Sequence, residues 1–414
     1  MGLDRAGTPR PPVGLGQVQA ARELLAGVVT TTPVAGARAL SELAGGPVLL
    51  KCENLQRTGS FKIRGAYTRL RRLDERERAR GVVAASAGNH AQGVALAAQL
   101  LGIRAAVFMP EGAALPKIDA TRSYGADVHL VGATIEQSIA AAVEFAERTG
   151  AVLVHPFDHP DVIAGQGTVG CEIVEQVPDV RTVVVATGGG GLLGGVAAAV
   201  KGLRPDVTVA GVQAAGAAAW PPSLAAGAPR ELPRMRTIAD GIAVGRPGDV
   251  TYPQVAALVD DLVTVGEDEL SRALVHLLER AKLVVEPAGA ATVAALMREP
   301  RRWPTPVVAV LSGGNIDPLV LLHVIQHGMA AASRYLSLRV RVDDRPGALA
   351  ELLALIGSRG ANVLDVDHSR ISTALPLGDV EVALRLETRG PEHCAELMAT
   401  LREAGHAVTG EPRP

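Results

Sequence analysis

The sequence predicts an α/β protein with two open, mostly parallel α/β sheet domains, followed by a smaller α+β domain of the ferredoxin-like type. Between residues 47 and 212, short apolar runs alternate with helix-length amphipathic stretches. That alternation is typical of parallel strands that are covered by helices on both faces. From residue 335 the predicted order becomes strand, helix, strand, strand, helix, strand, which is the ferredoxin-like order.

The individual elements follow from these patterns in chain order. In the first part, the apolar runs predict strands at residues 48–50, 82–85, 105–109, 128–131, 152–155, 183–186, 207–212, 262–265 and 307–311. The Pro- and Gly-rich segment 221–253 interrupts the alternation, and we interpret it as a structured loop. The last helix of this part is expected at residues 317–332. The second part predicts strands at 336–342, 362–367 and 380–386, helices at 348–359 and 391–404, and a short final strand.

The same patterns divide the chain into three segments. Residues 1–16 are rich in Pro and Gly and lack the apolar region of a signal peptide, so we expect a disordered lead-in. Residues 17–333 form the main unit. Residues 334–414 are long enough to form a separate domain.

Composition narrows the class of partner. A 414-residue chain that is 48% hydrophobic and 20% charged is typical of a globular protein with a large core. Its net charge of -2 gives no electrostatic reason to bind nucleic acid or an anionic membrane, so small molecules are the expected partners. Three scattered cysteines without Cys-x-x-Cys spacing argue against a disulfide framework and a structural zinc site, and favour the cytoplasm.

Lys62 is the first candidate for chemistry, because Ser60 and Phe61 place it at the expected start of a helix. A lysine becomes a nucleophile at neutral pH when desolvation or the positive end of a helix disfavours its ammonium form. Carbonyl cofactors are captured by such lysines as Schiff bases. The alternative from this stretch alone is an exposed surface lysine.

Two stretches follow strands and open helices, as anion-binding sites do. Ser86, Ala87, Gly88, Asn89 and His90 come directly after the strand at 82–85, and free N–H groups at a helix start suit a carboxylate or a phosphate. Asn89 could also donate to a phenolate-type oxygen. A plain helix cap by Ser86 or Asn89 is the alternative.

The second stretch is glycine-rich. Gly188, Gly189, Gly190 and Gly191 precede Leu192 and an Ala-rich helix, which indicates a phosphate-binding loop. A dinucleotide site is the competing interpretation, but it would need an acidic residue after the next strand. That strand ends in Gln213, which argues against a nicotinamide oxidoreductase.

Ser312 closes the last predicted strand of the main unit and is followed by Gly313, Gly314 and Asn315. Ligands of open α/β sheets bind at this carboxyl edge, where the hydroxyl could meet a ring nitrogen. A simple turn before a helix is an equally good local interpretation.

These stretches, in this order, resemble the fold-type II enzymes of pyridoxal 5′-phosphate (PLP), and most closely the threonine ammonia-lyases. The likeness extends to residues 30–33, 164–168, 237–244 and 285–287. It implies that the main unit has a small subdomain at about 55–155 inserted in a larger one. It also implies that Lys62 binds PLP covalently next to Phe61. Asn89 would hydrogen-bond the ring hydroxyl, residues 188–192 the phosphate and Ser312 the pyridine nitrogen, with Glu286 close by. Residues 86–90 would bind the carboxylate of an amino-acid substrate.

The resemblance also implies a reaction. Lys62 would remove the α-proton of threonine and the β-hydroxyl would leave, so that 2-oxobutanoate and ammonia form; serine would give pyruvate. Serine racemases share most of these motifs but need a second acid or base, where this chain has Ala87. Because relatives bind a divalent cation after the strand that ends at Gln213, and residues 214–219 contain no carboxylate, no metal site is expected.

The C-terminal part, with Arg345, Pro346, Gly347 and later Asn362, resembles the ACT or ACT-like regulatory domains of many dehydratases. The resemblance implies an amino-acid effector at these residues, with isoleucine as inhibitor and valine opposing it, and a homo-oligomer, dimer or tetramer. A domain used only for oligomerisation is the alternative. A hypothesis of another class is a non-catalytic amino-acid sensor, against which Lys62, the glycine loop and Ser312 argue.

Overall fold

The computed structural model describes residues 12–331, 333–369 and 378–409. The chain divides into two units, the first ending at Pro318 and the second beginning at Leu319. The division differs from the boundary expected at residue 333, because residues from Leu319 onward make their contacts mainly with each other. The α/β class with a small additional α+β domain is confirmed.

The first unit contains thirteen α-helices and ten strands among its described residues. In chain order they are α1 Leu15–Leu25, β1 Val34–Gly36, α2 Arg38–Ala44, β2 Val48–Lys51, α3 Lys62–Arg71, α4 Glu75–Arg80, β3 Val82–Ala85, α5 Asn89–Leu101, β4 Ala105–Met109, α6 Leu115–Ser123, β5 Asp127–Leu130, α7 Ile135–Thr149, β6 Val152–Leu153, α8 Pro160–Gln176, β7 Thr182–Ala186, α9 Gly191–Leu203, β8 Thr208–Ala214, α10 Trp220–Ala226, α11 Thr251–Leu258, β9 Asp261–Val265, α12 Glu267–His276, α13 Pro287–Arg298 and β10 Val307–Val310.

Two sheets organise this unit. The larger has the order β1-β2-β10-β7-β8-β9, in which only the pairing of β1 with β2 is antiparallel. The smaller, β5-β4-β3-β6, is parallel throughout and is built from the chain between β2 and β7. Their strands are nearly continuous runs of Val and Ala because helices cover both faces. The carboxyl ends of such strands are where open α/β sheets bind ligands.

Four charged side chains lie buried between elements of both sheets. The Arg64 guanidinium on α3 donates to Glu53 Oε1 at 2.8 Å and to Glu172 Oε1 at 2.6 Å, and Lys51 Nζ lies 2.6 Å from Glu172 Oε2. These four residues are almost inaccessible to solvent. Two cations and two carboxylates balance each other, and removing one would leave an unpaired buried charge. The cluster therefore fixes the position of α3, whose first residue is Lys62.

Two expectations about the first unit are wrong. The first is the disordered lead-in expected at residues 1–16. Its residues 1–11 lie outside the described residues, but residues 13–16 are ordered. Val13 is fully buried, its N–H donates to Gln254 Oε1 at 3.0 Å and its carbonyl accepts from Gln254 Nε2 at 2.8 Å.

The second is the loop expected at residues 221–253, which contains most of α10 and the start of α11. Two prolines fit the first turn of α10, because the N–H groups of a first helical turn have no partner within the helix, so that nothing is lost where proline has none.

The second unit contains α14 Pro318–Ala331 except for its first residue, followed by β11 Tyr335–Asp343, α15 Ala348–Ser358, β12 Asn362–Ser369, β13 Asp379–Glu387, α16 Pro391–Glu403 and β14 Ala407–Thr409. Its sheet has the order β12-β13-β11-β14, and each neighbouring pair of strands is antiparallel. Alternate residues of β11 and β13 are buried, as expected for strands with one face on a core. The expected end of α14 at residue 332 lies outside the described residues.

Candidate functional site

A cavity of about 840 Å³ lies between the two sheets of the first unit, at the carboxyl ends of β3 and β7. Every residue that the sequence assigned to cofactor or substrate lines it. These residues are Phe61, Lys62, Ser86, Ala87, Gly88, Asn89, His90, Gly188, Gly189, Gly190, Gly191, Leu192, Glu286 and Ser312. Residues far apart in the chain therefore meet in a single candidate active site.

Lys62 and Ser312 are brought together by a short backbone bridge. Ser60 pairs with Gly313, and the N–H of Phe61 donates to the carbonyl of Ser312 at 3.2 Å. Lys62 then begins α3, and its Nζ donates to the carbonyl of Pro156 at 2.9 Å. Burial lowers the pKa of Lys62 to about 8, although the negative charge of Glu286 acts in the opposite direction and raises this pKa. Lys62 is therefore an amine directed into the cavity and not an exposed surface lysine.

The amide of Asn89 is held in one orientation by two neighbours. Its Nδ2 donates to Glu286 Oε1 at 2.7 Å, and its Oδ1 accepts from Asn315 Nδ2 at 2.8 Å. These contacts distinguish the nitrogen from the oxygen of the amide and leave one N–H of Asn89 for a ligand. Burial raises the pKa of Glu286 to about 7, while the Asn89 hydrogen bond lowers it. Glu286 thus orients Asn89 and adds a carboxyl that titrates near neutral pH.

The glycine loop, residues 188–191, lies too close to its surroundings to carry side chains. A Cβ on Gly189 would lie 2.3 Å from the Phe157 ring, and one on Gly191 would lie 2.9 Å from Phe157 Cβ. Gly190 has φ +98°, a left-handed conformation that favours glycine, and caps α9. The side chain of Leu192 packs into the core, so only backbone groups of the loop are offered to a ligand.

The loop at residues 86–90 follows β3 and opens α5. Ser86 Oγ accepts from the N–H of Gly88 at 3.2 Å, so it shapes the turn, and Ala87 presents only a methyl group. His90 Nε2 lies 2.8 Å from the carbonyl of Val154, which occupies that nitrogen. Burial, followed by the charge of Lys62, lowers the pKa of His90 to about 3, so the imidazole is neutral. His90 therefore supports the loop instead of offering Nε2 to a substrate.

Three of the lining residues that were not predicted as site residues carry polar groups into the cavity, namely Gln166, Lys117 and Asp240. Gln166 on α8 is 1% exposed, and its Oε1 has no hydrogen-bond partner among the described residues. Lys117 on α6 forms an ion pair with Asp240, which lies between α10 and α11, and the distance from Nζ to Oδ2 is 3.0 Å. The motif around Gln166 contained the signal for that residue. Asp240 lies in the stretch 237–244 of the likeness, but nothing local indicated its pairing with Lys117, because the two residues meet only through the tertiary fold.

A family model described as pyridoxal-phosphate dependent enzyme matches residues 25–313 of this chain. The chain belongs to that family. An ACT domain model matches residues 336–401 of the enzyme. Over 396 residues the enzyme is 47% identical to the L-threonine ammonia-lyase of Thermotoga maritima, covering 96% of this chain and 99% of that relative.

Solved structures give the same picture. The enzyme resembles threonine deaminase isoform 2 of Solanum lycopersicum, in its processed form, with a TM-score of 0.72 and 36% identity, covering 77% of this chain and 96% of the other. It resembles maize serine racemase with a TM-score of 0.72 and 36% identity, covering 75% and 96%. Both likenesses support the fold and the cofactor class.

The residues of the cavity fit PLP. A phosphate needs N–H donors at close approach, and the glycine loop leaves no room for a Cβ at Gly189 or Gly191. The carbonyl carbon of PLP needs an amine that loses its proton easily, and burial gives Lys62 that property. Among the described residues, no group of three or more His, Cys, Asp or Glu is arranged to bind a metal ion, and no helix is long and apolar enough to span a membrane.

The predicted effector residues lie at two separate places in the second unit. Arg345 forms an ion pair with Glu351 at 2.6 Å, and Gly347, with φ +93°, caps α15. Asn362 pairs with Glu387, which also pairs with Tyr335 at the start of β11, whereas Arg345 follows the end of β11. The two ends of a strand of this length are roughly 25 Å apart. Within one chain Asn362 therefore lies far from Arg345, Pro346 and Gly347, and the assignment of these four residues to an effector stays a prediction.

The lowered pKa of Lys62 predicts how cofactor capture depends on pH. The neutral amine is the nucleophile, so the capture rate of PLP by the apoenzyme should rise about tenfold per pH unit and level off above about 8. Stopped-flow visible absorbance measures this rate. In Glu286→Gln the midpoint should move to lower pH, because the carboxylate that favours the ammonium is gone. A midpoint near 10.5, the ordinary value for lysine, would contradict the assignment.

Proposed function

We propose that the enzyme converts L-threonine to 2-oxobutanoate and ammonia, and L-serine to pyruvate and ammonia. The observation that supports this most is the likeness to L-threonine ammonia-lyase along 96% of the chain, which includes both the PLP unit and the ACT domain. The cavity supplies what the reaction needs, namely one buried amine at Lys62 and two separate sets of backbone donors.

Each part of the site has a role in this proposal. PLP, when bound, acts as an electron sink for the bond broken at the substrate α-carbon. The N–H groups of Ser86 and Gly88 donate to the carbonyl of Phe108 and to Ser86 Oγ, so the substrate carboxylate is bound by the N–H of Ala87 and by those at the start of α5, which have no acceptor among the described residues. The glycine loop binds the phosphate, and the free side-chain N–H of Asn89 and the hydroxyl of Ser312 orient the ring. Lys62 in its neutral form accepts the α-proton.

The overall reaction balances. The substrate loses its α-proton and its β-hydroxyl, which together make one water. One water is consumed when the resulting unsaturated amine tautomerises and hydrolyses, so threonine yields one 2-oxobutanoate and one ammonia. Lys62 must give up the proton it accepted before the next cycle. A coupled assay for 2-oxobutanoate from L-threonine and for pyruvate from L-serine tests the proposal directly, and a purified holoenzyme that forms neither product would refute it.

Serine racemase is the alternative function, and its support is the structural likeness to the maize enzyme. Racemisation needs a second group to deliver a proton, and the methyl of Ala87 cannot do so. We expect D-serine to form from L-serine at less than about 1% of the rate of pyruvate formation, since an acid/base group typically contributes 10²–10⁴-fold. Chiral chromatography measures this ratio. Ala87→Ser is the matched variant and should raise it, whereas comparable rates in the unmodified enzyme would reverse the assignment.

We propose that the ACT domain regulates the enzyme through an amino-acid effector, with isoleucine inhibiting and valine opposing it. Its support is the domain match and the left-handed Gly347 at the start of α15, where helix N–H groups can bind a carboxylate. A coupling of typical size would shift the apparent threonine affinity about 5–150-fold. Threonine saturation curves with and without each amino acid measure it. Identical curves would favour a domain used only for oligomerisation.

We also propose that the enzyme is a homo-oligomer and that it is located in the cytoplasm.

A further inference from the structure

The carbonyl groups of the glycine loop are bonded on the side away from the cavity. The indole Nε1 of Trp220 donates to the carbonyl of Gly188 at 2.7 Å. The hydroxyl of Thr251 donates to the carbonyl of Gly189 at 2.5 Å. Trp220 and Thr251 are both fully buried, so neither hydrogen bond competes with water. Two consecutive peptide groups are thereby held from outside the loop.

A planar trans peptide places its C=O and the following N–H on opposite sides. Since the carbonyls of Gly188 and Gly189 face outward, the N–H groups of Gly189 and Gly190 face the cavity. Neither N–H donates to a protein acceptor in the part of the chain that the structure describes. Buried backbone N–H groups are rarely left without a partner, so this pair is free for an anion.

The two outer donors are themselves fixed. Trp220 stacks on Tyr252, with ring centroids 6.0 Å apart, and its backbone N–H donates to Gln213 Oε1 at 3.0 Å. The N–H of Thr251 donates to Asp158 Oδ1 at 3.0 Å at the start of α11. These contacts come from elements that do not otherwise belong to the cofactor site.

Trp220 and Thr251 also close the space behind the loop. A Cβ on Gly190 would lie 2.5 Å from Trp220 Cζ2 and 3.0 Å from Thr251 Cβ. The loop therefore cannot relax outward, and its peptide groups keep their orientation without a ligand. Preorganised donors bind an anion more tightly, because less ordering has to occur on binding.

We infer that Trp220 and Thr251 are positioning residues for the cofactor phosphate, acting through the peptide groups of Gly188–Gly189 and Gly189–Gly190. The inference rests on the proposal that the glycine loop binds the phosphate, and adds that two buried side chains outside the loop set its affinity. Neither side chain lines the cavity.

Comparing PLP with pyridoxal, which lacks the phosphate, separates this role from a general structural one. Dissociation constants of both ligands for the apoenzyme are measured by visible absorbance. Thr251→Val and Trp220→Phe should each weaken PLP binding about tenfold, the size expected when a hydrogen bond to a charged group is misdirected. Pyridoxal binding should change less than about twofold. Thr251→Ser keeps the hydroxyl and should behave as the unmodified enzyme.

Tyr252→Phe is the control, because Tyr252 donates to the carbonyl of Ser223 at 3.2 Å and its ring, like that of phenylalanine, can stack on Trp220. It should leave both constants unchanged. Equal weakening of PLP and pyridoxal by Thr251→Val and Trp220→Phe, or no weakening by either, would overturn the inference. If the unmodified apoenzyme binds PLP no more tightly than pyridoxal, the phosphate assignment of the loop fails, and the inference fails with it.

Discussion

Replacing Lys62 by alanine is expected to reduce threonine turnover by about 10⁴-fold or more, because the covalent anchor and the base are lost together. The chain should still fold. The pKa of Lys62 in the folded apoenzyme, about 8, lies below its ordinary value of 10.5, so the unfolded chain binds the proton more strongly. Below pH 8 Lys62 therefore lowers the free energy of unfolding, and this destabilisation diminishes as the pH rises to 10.5.

The measurement is 2-oxobutanoate formation by purified Lys62→Ala, together with its melting temperature at about pH 7, below the lowered pKa of Lys62. The apoprotein of the variant should melt no lower than the unmodified apoprotein. Lys201→Ala is a matched control, since Lys201 does not line the cavity and donates to Asp260 and to the carbonyl of Val207. It should retain full turnover. Substantial 2-oxobutanoate production by folded Lys62→Ala would remove Lys62 from the mechanism.

Gly189→Ala is expected to weaken PLP binding by about 100-fold. The added methyl would lie 2.3 Å from the Phe157 ring, which no real Cβ contact tolerates, so either the ring or the loop has to move. Movement of the loop turns its N–H groups away from the phosphate, and misplaced donors to a charged group cost about 1.5–3 kcal/mol or more. PLP titration of the apoenzyme, followed by visible absorbance, measures the effect.

Two further variants test whether the steric contact is the cause. Gly112→Ala is the control, since nothing lies within 4 Å of a Cβ at that position. Adding Phe157→Leu to Gly189→Ala makes room for the methyl and should restore part of the PLP affinity. If Gly189→Ala alone binds PLP as the unmodified enzyme does, the loop is not the phosphate site.

The fold could be predicted largely because buried parallel strands have a strong local pattern. The strands Val82–Ala85 and Ala105–Met109 were predicted with the same bounds that the structure shows, and both are apolar runs between clear turn signals. The edge strand Val34–Gly36 was missed, since three residues that are partly exposed carry no such pattern. Helix α10 was missed because its two prolines were taken as breakers.

For the site, the motifs named residues that line one cavity in the structure, while contacts between distant side chains could not be foreseen. Lys62, Asn89 and Ser312 stand at strand ends or helix starts, positions that local sequence patterns indicate. Glu286 was identified only by the resemblance, because its contact with Asn89 joins the starts of two helices, α13 and α5, that are far apart in the chain. Trp220 and Thr251 act on backbone carbonyls, and no sequence pattern records which carbonyl a side chain will meet.

The topology of the larger sheet has a consequence for synthesis on the ribosome. Strand β2 pairs with β10, Val48 beside Val307, so the centre of the sheet joins the two ends of the first unit. The smaller sheet uses only chain between β2 and β7, so it can assemble while the C-terminal part is still being made. At a synthesis rate of roughly 5–20 residues per second, β1 and β2 are made roughly 10–50 s before β10. During that time they expose an unpaired, apolar edge, and we expect a nascent chain that stalls before Val307 to bind chaperones or aggregate.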